Sequence, residues 1–336
     1  AEKQVVDTVM NLIPNADDIN GNLIDKYTEE HPHLIWFKNG VYDIKKDKMI
    51  EHSPKHYLRQ HHDYKLPISV NDETSMSLSE LEIKCQRTLH RLNLLVGDAS
   101  EYMITLLGYG FVHTHEIWNA ITFLYDPNGA SGKSFFINSV VEKMFGSANI
   151  QNVGLTQFSK NKFASSDMAG KEMNLVTEVD NSHFNTELMN NLKQISGGDS
   201  IRVEAKFKAG KSVGLYSKLL FAMNKALPNM GTSLQEGGMW RRMVVIPTTG
   251  YKPTSEDKKS FTQEVINEEL PYFSLYCMKK FKQYYQNDVF DKFNPIDVSH
   301  PLITNEIAMI TRKFIDSDNR ILQFFIYKSI DYLENT

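Results

Sequence analysis

The sequence predicts an α/β fold: a parallel sheet with crossover helices over residues 119–250, set between a mixed N-terminal module and a helical C-terminal region. Three observations carry this. Within 119–250, short strand-like apolar runs alternate with longer helical ones, the pattern of strand–helix–strand units. The chain has 336 residues, 41% hydrophobic and 23% charged, enough to bury a core across more than one domain and too apolar for wholesale disorder. Its two cysteines, Cys85 and Cys277, are too few for a disulfide framework or a cysteine zinc site.

Taken in order, residues 1–75 form the N-terminal module, polar with short apolar runs such as Leu34–Phe37 and a hairpin-type Asn39-Gly40 pair. Residues 69–79 are polar and predict a connector. Residues 76–118 are a helical lead-in, with Leu89, Leu92, Leu95 and Val96 at helical spacing. In the core, Ile121–Tyr125, 173–177, 217–223 and 243–246 are the strand candidates. Residues 135–145 predict a helix, with Phe136, Val140 and Met144 in one column and Ile137, Val141 and Phe145 in the next. The polar run 252–260 reads as a linker. The rest of 251–336 is helical and aromatic-rich, interrupted near Pro295 and Pro301.

The formal charge is −4, from 41 acidic against 37 basic residues. That excludes nucleic-acid binding by bulk charge, so a nucleic-acid site has to be a local patch. No apolar run approaches the roughly 20 residues of a membrane helix, and the N-terminus lacks a signal-peptide pattern. A soluble, cytoplasmic protein without membrane partners is expected. The pairs His31/His33, His61/His62 and His113/His115 lack cysteines and an obvious carboxylate partner, so surface or core histidines are expected rather than metal ligands.

The strongest motif runs from Tyr125 through Asp126, Pro127, Asn128, Gly129, Ala130, Ser131, Gly132 and Lys133 to Ser134, after a strand and before a helix. That context suits a phosphate-binding loop. Small residues let the N–H groups of 128–134 turn inward around phosphates, and the helix N-terminus adds partial positive charge. Lys133 would reach the β- and γ-phosphates and the Ser134 hydroxyl would hold Mg²⁺, which makes ATP and Mg²⁺ the expected ligands. Pro127 stands where such loops commonly have their first glycine. It removes one N–H donor and fixes φ, so the loop entry has to be pre-turned.

About forty residues on, an apolar strand ends in Glu178, with Asp180 two residues further. A carboxylate at a parallel strand's C-terminal tip can hold Mg²⁺ through water or orient an attacking water, and Glu178 is the better placed. Then Leu188, Leu192 and Ile195 share a helical face that Gly197-Gly198 stops. From Ile201 the pattern alternates with period two: Ile201, Val203, Ala205 and Phe207 face one way, Arg202, Glu204, Lys206 and Lys208 the other. Ala209-Gly210 is the turn signal of a β-hairpin with Lys208 and Lys211 at its tip. Between residues 200 and 225 the basic residues are Arg202, Lys206, Lys208, Lys211, Lys218 and Lys225, against Glu204 alone. A further strand ends in Asn224, suited to polarise a water opposite the γ-phosphate. Arg241-Arg242 precede the last strand, and an arginine there could reach a neighbouring subunit's γ-phosphate.

In this order the sequence resembles the superfamily III helicases of the AAA+ class, above all the poxvirus-type NTPase and phage or plasmid primase-helicase group. The matching stretches are Gly132-Lys133-Ser134, residues 192–199, 221–228 and 236–247. Residues 37–58 resemble the module found beside these helicases. The resemblance implies a ring-shaped, usually hexameric, ATP-driven motor on single-stranded or forked DNA, with a primase or another replication protein as a partner. It makes Lys133 and Ser134 the loop residues, Glu178 the strand-end acid with Asp180 a second carboxylate, Asn224 the sensor and Arg241 or Arg242 the finger in trans. Lys206, Lys208 and Lys211 become the DNA-touching hairpin. The start at Ala1, and an end where a winged helix might complete, fit a fragment of a longer replication protein. A DNA-dependent ATPase that melts or loads at an origin, and a protein-remodelling ATPase, are the alternatives.

Overall fold

The computed structural model describes residues 28, 30–53, 56, 60–72, 75–160, 166–179, 186–203, 211–224, 238–291 and 293–316. Its centre is a five-stranded, wholly parallel sheet, confirming the α/β class. The strands are β5 (Ile121–Tyr125), β6 (Ile150–Gln151), β7 (Met173–Val176), β10 (Lys218–Met223) and β11 (Met243–Pro247), in spatial order β11-β5-β10-β7-β6. The strand leading to the 126–134 loop therefore lies beside the strand ending at Asn224, and β7 lies one place further out.

Both faces of this sheet are covered, which is why its strands are continuous apolar runs rather than alternating ones. Ile121, Phe123, Leu219, Phe221, Val245 and Met243 point to one buried core, shared with α6 (Leu155–Lys160), α7 (Thr186–Gly197) and α10 (Asn305–Asp316). Leu124, Leu220, Ala222, Val244 and Ile246 point to the other. That second core holds α1 (Leu78–Lys84), α2 (Gln86–Val96), α3 (Ser100–Gly110), α9 (Gln263–Tyr285) and the helix after the 126–134 loop. The latter starts as α4 (Lys133–Phe136), widens through a π turn at Ile137–Val141 and ends as α5 (Glu142–Phe145). Both predicted columns, Phe136/Val140/Met144 and Ile137/Val141/Phe145, are buried. Helices α3 and α9 meet at Gly108, where a Cβ would lie 2.0 Å from the Cys277 carbonyl oxygen.

The N-terminal module forms a second sheet, β3-β2-β1-β4, from β1 (Leu34–Phe37), β2 (Gly40–Asp43), β3 (Lys48–Ile50) and β4 (His61–His62). The β1–β2 turn is Lys38-Asn39, since Phe37 pairs with Gly40. Asn39 instead pins the next segment, donating to the Leu66 and Ile68 carbonyls and accepting from the Leu66 N–H. This sheet shares the second core.

Two readings change. Residues 252–260 are more than a linker: Thr254 caps a short helix, α8 (Ser255–Ser260), through a capping box with Asp257. Lys218 leaves the basic patch. It is 1% exposed, donates to the Val112, Thr114 and Tyr216 carbonyls, and lies 4.2 Å from the Tyr109 ring centroid. The hairpin does form, β8 (Ser200–Val203) pairing antiparallel with β9 (Lys211–Gly214). Its tip, with Lys206 and Lys208, lies outside the described residues, as does Asp180. No helix of the described residues is long and apolar enough to cross a membrane.

Candidate phosphate-loop site

The loop leaves β5 at the C-terminal edge of the sheet and winds around the carboxylate of Asp126, which is fully buried. Asp126 Oδ1 accepts from the Asn128 and Gly129 N–H groups at 3.2 and 3.0 Å. Its Oδ2 accepts from the Ser131 N–H at 3.3 Å, the Ser131 hydroxyl at 2.6 Å and Lys133 Nζ at 3.0 Å. This accounts for Pro127. Asp-Pro-Asn-Gly is an Asp-led turn, with proline presetting φ at the second position. Beyond it Gly129, Ala130 and Gly132 take left-handed φ values of 69°, 64° and 90°. At Ala130, a residue with a Cβ, that conformation costs roughly 1–2 kcal/mol.

Burial pushes the Asp126 pKa up, but the Ser131 and Lys133 contacts outweigh it and hold the carboxyl at about 2. Lys133 is 6% exposed, and its ammonium also donates to Asn224 Oδ1 at 2.7 Å. The strand order thus brings together the loop lysine and the strand-end amide, 91 residues apart. Glu178 is exposed at the same edge of the sheet, one strand further out. The Val179 N–H extends the β7–β10 ladder to the Ala222 carbonyl, so Glu178 sits level with Met223 and does not line the cleft described next.

A cleft of about 840 Å³ opens over the loop. Ala130, Gly132, Lys133, Ser134 and Asn224 form its floor, and Phe135, Pro253 and Phe261 supply apolar wall. Arg91, Lys252, Lys258 and Asp257 supply charge. Asp257, which caps α8, is held at about 2 by its Tyr251 and Thr254 contacts. Arg91 comes from α2, far upstream in sequence. It falls on that helix's buried stripe with Thr88, Leu92 and Leu95, and this charge at an apolar position was the only sequence signal for it.

The two arginines lie at the other end. Arg241 and Arg242 precede β11, which runs parallel to β5, so they stand at the sheet's N-terminal edge, roughly 16 Å of strand from this chain's own loop. Arg242 is tied to the last turn of α7, donating to the Lys193 carbonyl and, at 3.0 Å, to the Ser196 hydroxyl. Arg241 is exposed. A Cβ on Gly238 would lie 2.6 Å from the Arg241 guanidinium.

The histidine expectation changes in part. Glu172 is the carboxylate partner missed in the sequence, accepting from His62 Nε2 at 2.9 Å and His113 Nε2 at 3.0 Å. His62 Nδ1 faces the Trp36 carbonyl at 3.0 Å, so both ring nitrogens lie against oxygen acceptors. This buried pair ties β4 to the central sheet. Among the described residues no cluster of three or more His, Cys, Asp or Glu is arranged to hold a metal ion.

Two sequence families match. The family described as D5 N terminal like matches residues 1–91, which include the stretch 37–58. A family of unknown function, DUF5906, matches residues 124–242, from the end of β5 to the start of β11. No curated protein matches the chain. Among solved structures the chain is similar to the A-form apo structure of the NrS-1 C-terminal region, at 13% identity and TM-score 0.43, over 74% of this chain and 55% of that one. A second apo structure of that region, 305–718, gives 12% and 0.42, over 67% and 50%. JCV helicase with a bound acetamide compound gives 13% and 0.37, over 94% and 73%. The chain spans about half the length of the first two.

Proposed function

We propose that this chain is the motor of an ATP-driven DNA helicase from a phage, plasmid or other mobile element, working as a ring of six with ATP held between subunits. The observation that carries the reading is Lys133, held between Asp126 and Asn224 on the floor of the cleft at the edge of a parallel sheet. The D5 N-terminal-like match beside that core, and the order of motifs from Lys133 to Arg242, favour a helicase over other ATPases.

The residues present fit a nucleoside triphosphate with Mg²⁺. The cleft volume is that of a ligand site, and the left-handed backbone at 129, 130 and 132 keeps bulk away from its floor. Mg²⁺, when bound, would neutralise charge between the β- and γ-phosphates, with Ser134 as its side-chain ligand and Glu178 reaching it through water. Lys133 exchanges one of its present partners for a phosphate oxygen. Asn224, already within 2.7 Å of that ammonium, places its amide where it can orient a water. Glu178, exposed and one strand outside this cleft, would orient that water if it does not hold Mg²⁺ through water. The γ-phosphate charge that develops is met by an arginine of the neighbouring subunit, since neither Arg241 nor Arg242 reaches its own loop.

The test is ATP hydrolysis with and without single-stranded DNA, with Lys133→Ala as the control. Hydrolysis should rise with DNA and fall by about a hundredfold or more in the variant. A wild-type protein that binds ATP but never hydrolyses it, with DNA or without, would refute the motor.

A further inference from the structure

We propose that Arg91 is a phosphate ligand of the nucleotide bound by the same chain, a cation brought to the loop from the helical lead-in. The inference rests on the nucleotide reading above and adds to it a residue that the loop motif does not contain.

Arg91 is 7% exposed and, among the described residues, makes no hydrogen bond or ion pair. Its Nη1 is buried without a partner. An ionised guanidinium cannot shed its proton to relieve this, so burying it unpaired is costly unless an anion arrives. Asp257 is the carboxylate whose charge acts on it, and that group is committed to Tyr251 and Thr254. The guanidinium lies over the loop itself, because a Cβ on Gly132 would fall 2.5 Å from Nη2. Gly132 is thus fixed as glycine twice, by φ of 90° and by this approach.

Charge balance says why a second cation is needed. Lys133 is the cation expected to meet the phosphates, yet it is paired with the buried, ionised Asp126. The loop with its lysine is therefore close to neutral. Arg91 is the buried cation beside it with no bonded anion, since the Asp257 charge acts on it without a hydrogen bond, and a guanidinium offers two parallel N–H donors matched to phosphate oxygens. Because Arg91 sits on α2, filling the cleft also ties the lead-in helices to the loop.

The experiment is a calorimetric titration of sodium tripolyphosphate and of ATP into wild type, Arg91→Met, Arg91→Gln and Lys133→Ala at low salt, with melting temperatures of the ligand-free proteins. Arg91→Met should bind both ligands about 10- to 100-fold more weakly. Its ligand-free melting temperature should hold or rise, because an unpaired buried charge has gone. A purely structural arginine would not give that combination. If Arg91→Met does not fold, Arg91→Gln is read in the same way. Wild-type affinity for tripolyphosphate in the folded variant overturns the proposal, as does a loss of ligand-free stability in both. If wild type binds and Lys133→Ala does not, while the Arg91 variants bind normally, only the Arg91 assignment falls. If wild type itself binds neither ligand, the nucleotide reading falls with it.

Discussion

Replacing Asp126 by Asn preserves shape and removes only the charge and one set of acceptor sites. Asn Oδ1 can still accept from the Asn128 and Gly129 N–H groups. The amide NH₂ then faces the Ser131 N–H, the Ser131 hydroxyl and the Lys133 ammonium, which are all donors toward the present Oδ2. The magnitude follows from the carboxyl's depressed pKa, about 2 against an ordinary 3.8. At 1.36 kcal/mol per unit, that gap corresponds to about 2 kcal/mol of stability. For a depressed carboxylate this contribution is fully present above the unfolded value, and it is lost as pH falls from about 3.8 toward about 2. At pH 7 the wild type has all of it and Asp126→Asn has none. Urea unfolding at pH 7 should therefore show a loss of about 2 kcal/mol, or several degrees in melting temperature. Saturating tripolyphosphate should narrow the difference, since a bound anion supplies what the loop donors have lost. A variant as stable as wild type would show that the Asp126 network does not hold the loop. A difference that widens with ligand would show that Asp126 acts in the bound state instead.

Three further outcomes follow from the sheet's other edge and its core. His115, buried with Nε2 donating to the Ser217 carbonyl, has its pKa pushed down to about 3 by burial, with the Lys218 charge adding to the effect. Below pH 6.5 the unfolded chain takes up a proton that the folded chain refuses, so lowering pH from 7.5 to 5 should remove about 2 kcal/mol of stability. His115→Gln should flatten that dependence in urea titrations. Arg241→Ala subunits mixed into wild-type assemblies should poison ATP hydrolysis while leaving the melting temperature unchanged. Arg242→Ala should lower stability by roughly 1.5–3 kcal/mol through its lost bonds to α7. Poisoning by Arg242→Ala alone would instead make Arg242 the arginine that acts in trans.

Much of this was legible because it is local. The apolar runs at 121–125, 173–177, 217–223 and 243–246 announce buried strands by length and apolarity, and they fall on β5, β7, β10 and β11. The loop is visible from its small residues and its place between strand and helix, and the β8–β9 pairing from its period of two. What the sequence hid is what depends on pairing across the chain. Nothing in residues 173–224 says that β10 inserts between β5 and β7, yet that insertion sets Asn224 against Lys133 and leaves Glu178 a strand away. His62, His113 and Glu172 meet across 59 and 110 residues, so no spacing rule could join them. Lys218 looked like part of a basic surface because residues 200–225 carry six basic residues against one acid, but three carbonyls at the sheet edge draw it inside. Asp126 and the 252–260 helix are different. Asp-Pro-Asn-Gly and Thr-Ser-Glu-Asp are recognisable local signals, overshadowed by the louder Gly-Lys-Ser and by the polarity of a supposed linker.

These placements also explain why the helical layers belong with the loop. The cleft floor comes from residues 130–134 and 224, but its walls come from α2, from the α8 cap and from the start of α9. Those same elements are locked together away from the cleft. Buried Glu269 on α9 accepts from Arg87 Nε, the Thr88 N–H and the Thr88 hydroxyl on α2. A ligand that draws Arg91 toward the loop therefore pulls on a helix anchored three residues earlier, and through it on α9, which packs along α3 at Gly108. The loop edge of the sheet is thus coupled to the helical layer, while Arg241, Arg242 and the β8–β9 hairpin stand at the opposite edge. In the motor proposed above, that division would put the nucleotide at one edge and leave the other free for partners. It places the strain of filling the cleft in α2 and α9, where hydrogen exchange should slow on binding while β8 and β9 respond only in an assembled ring.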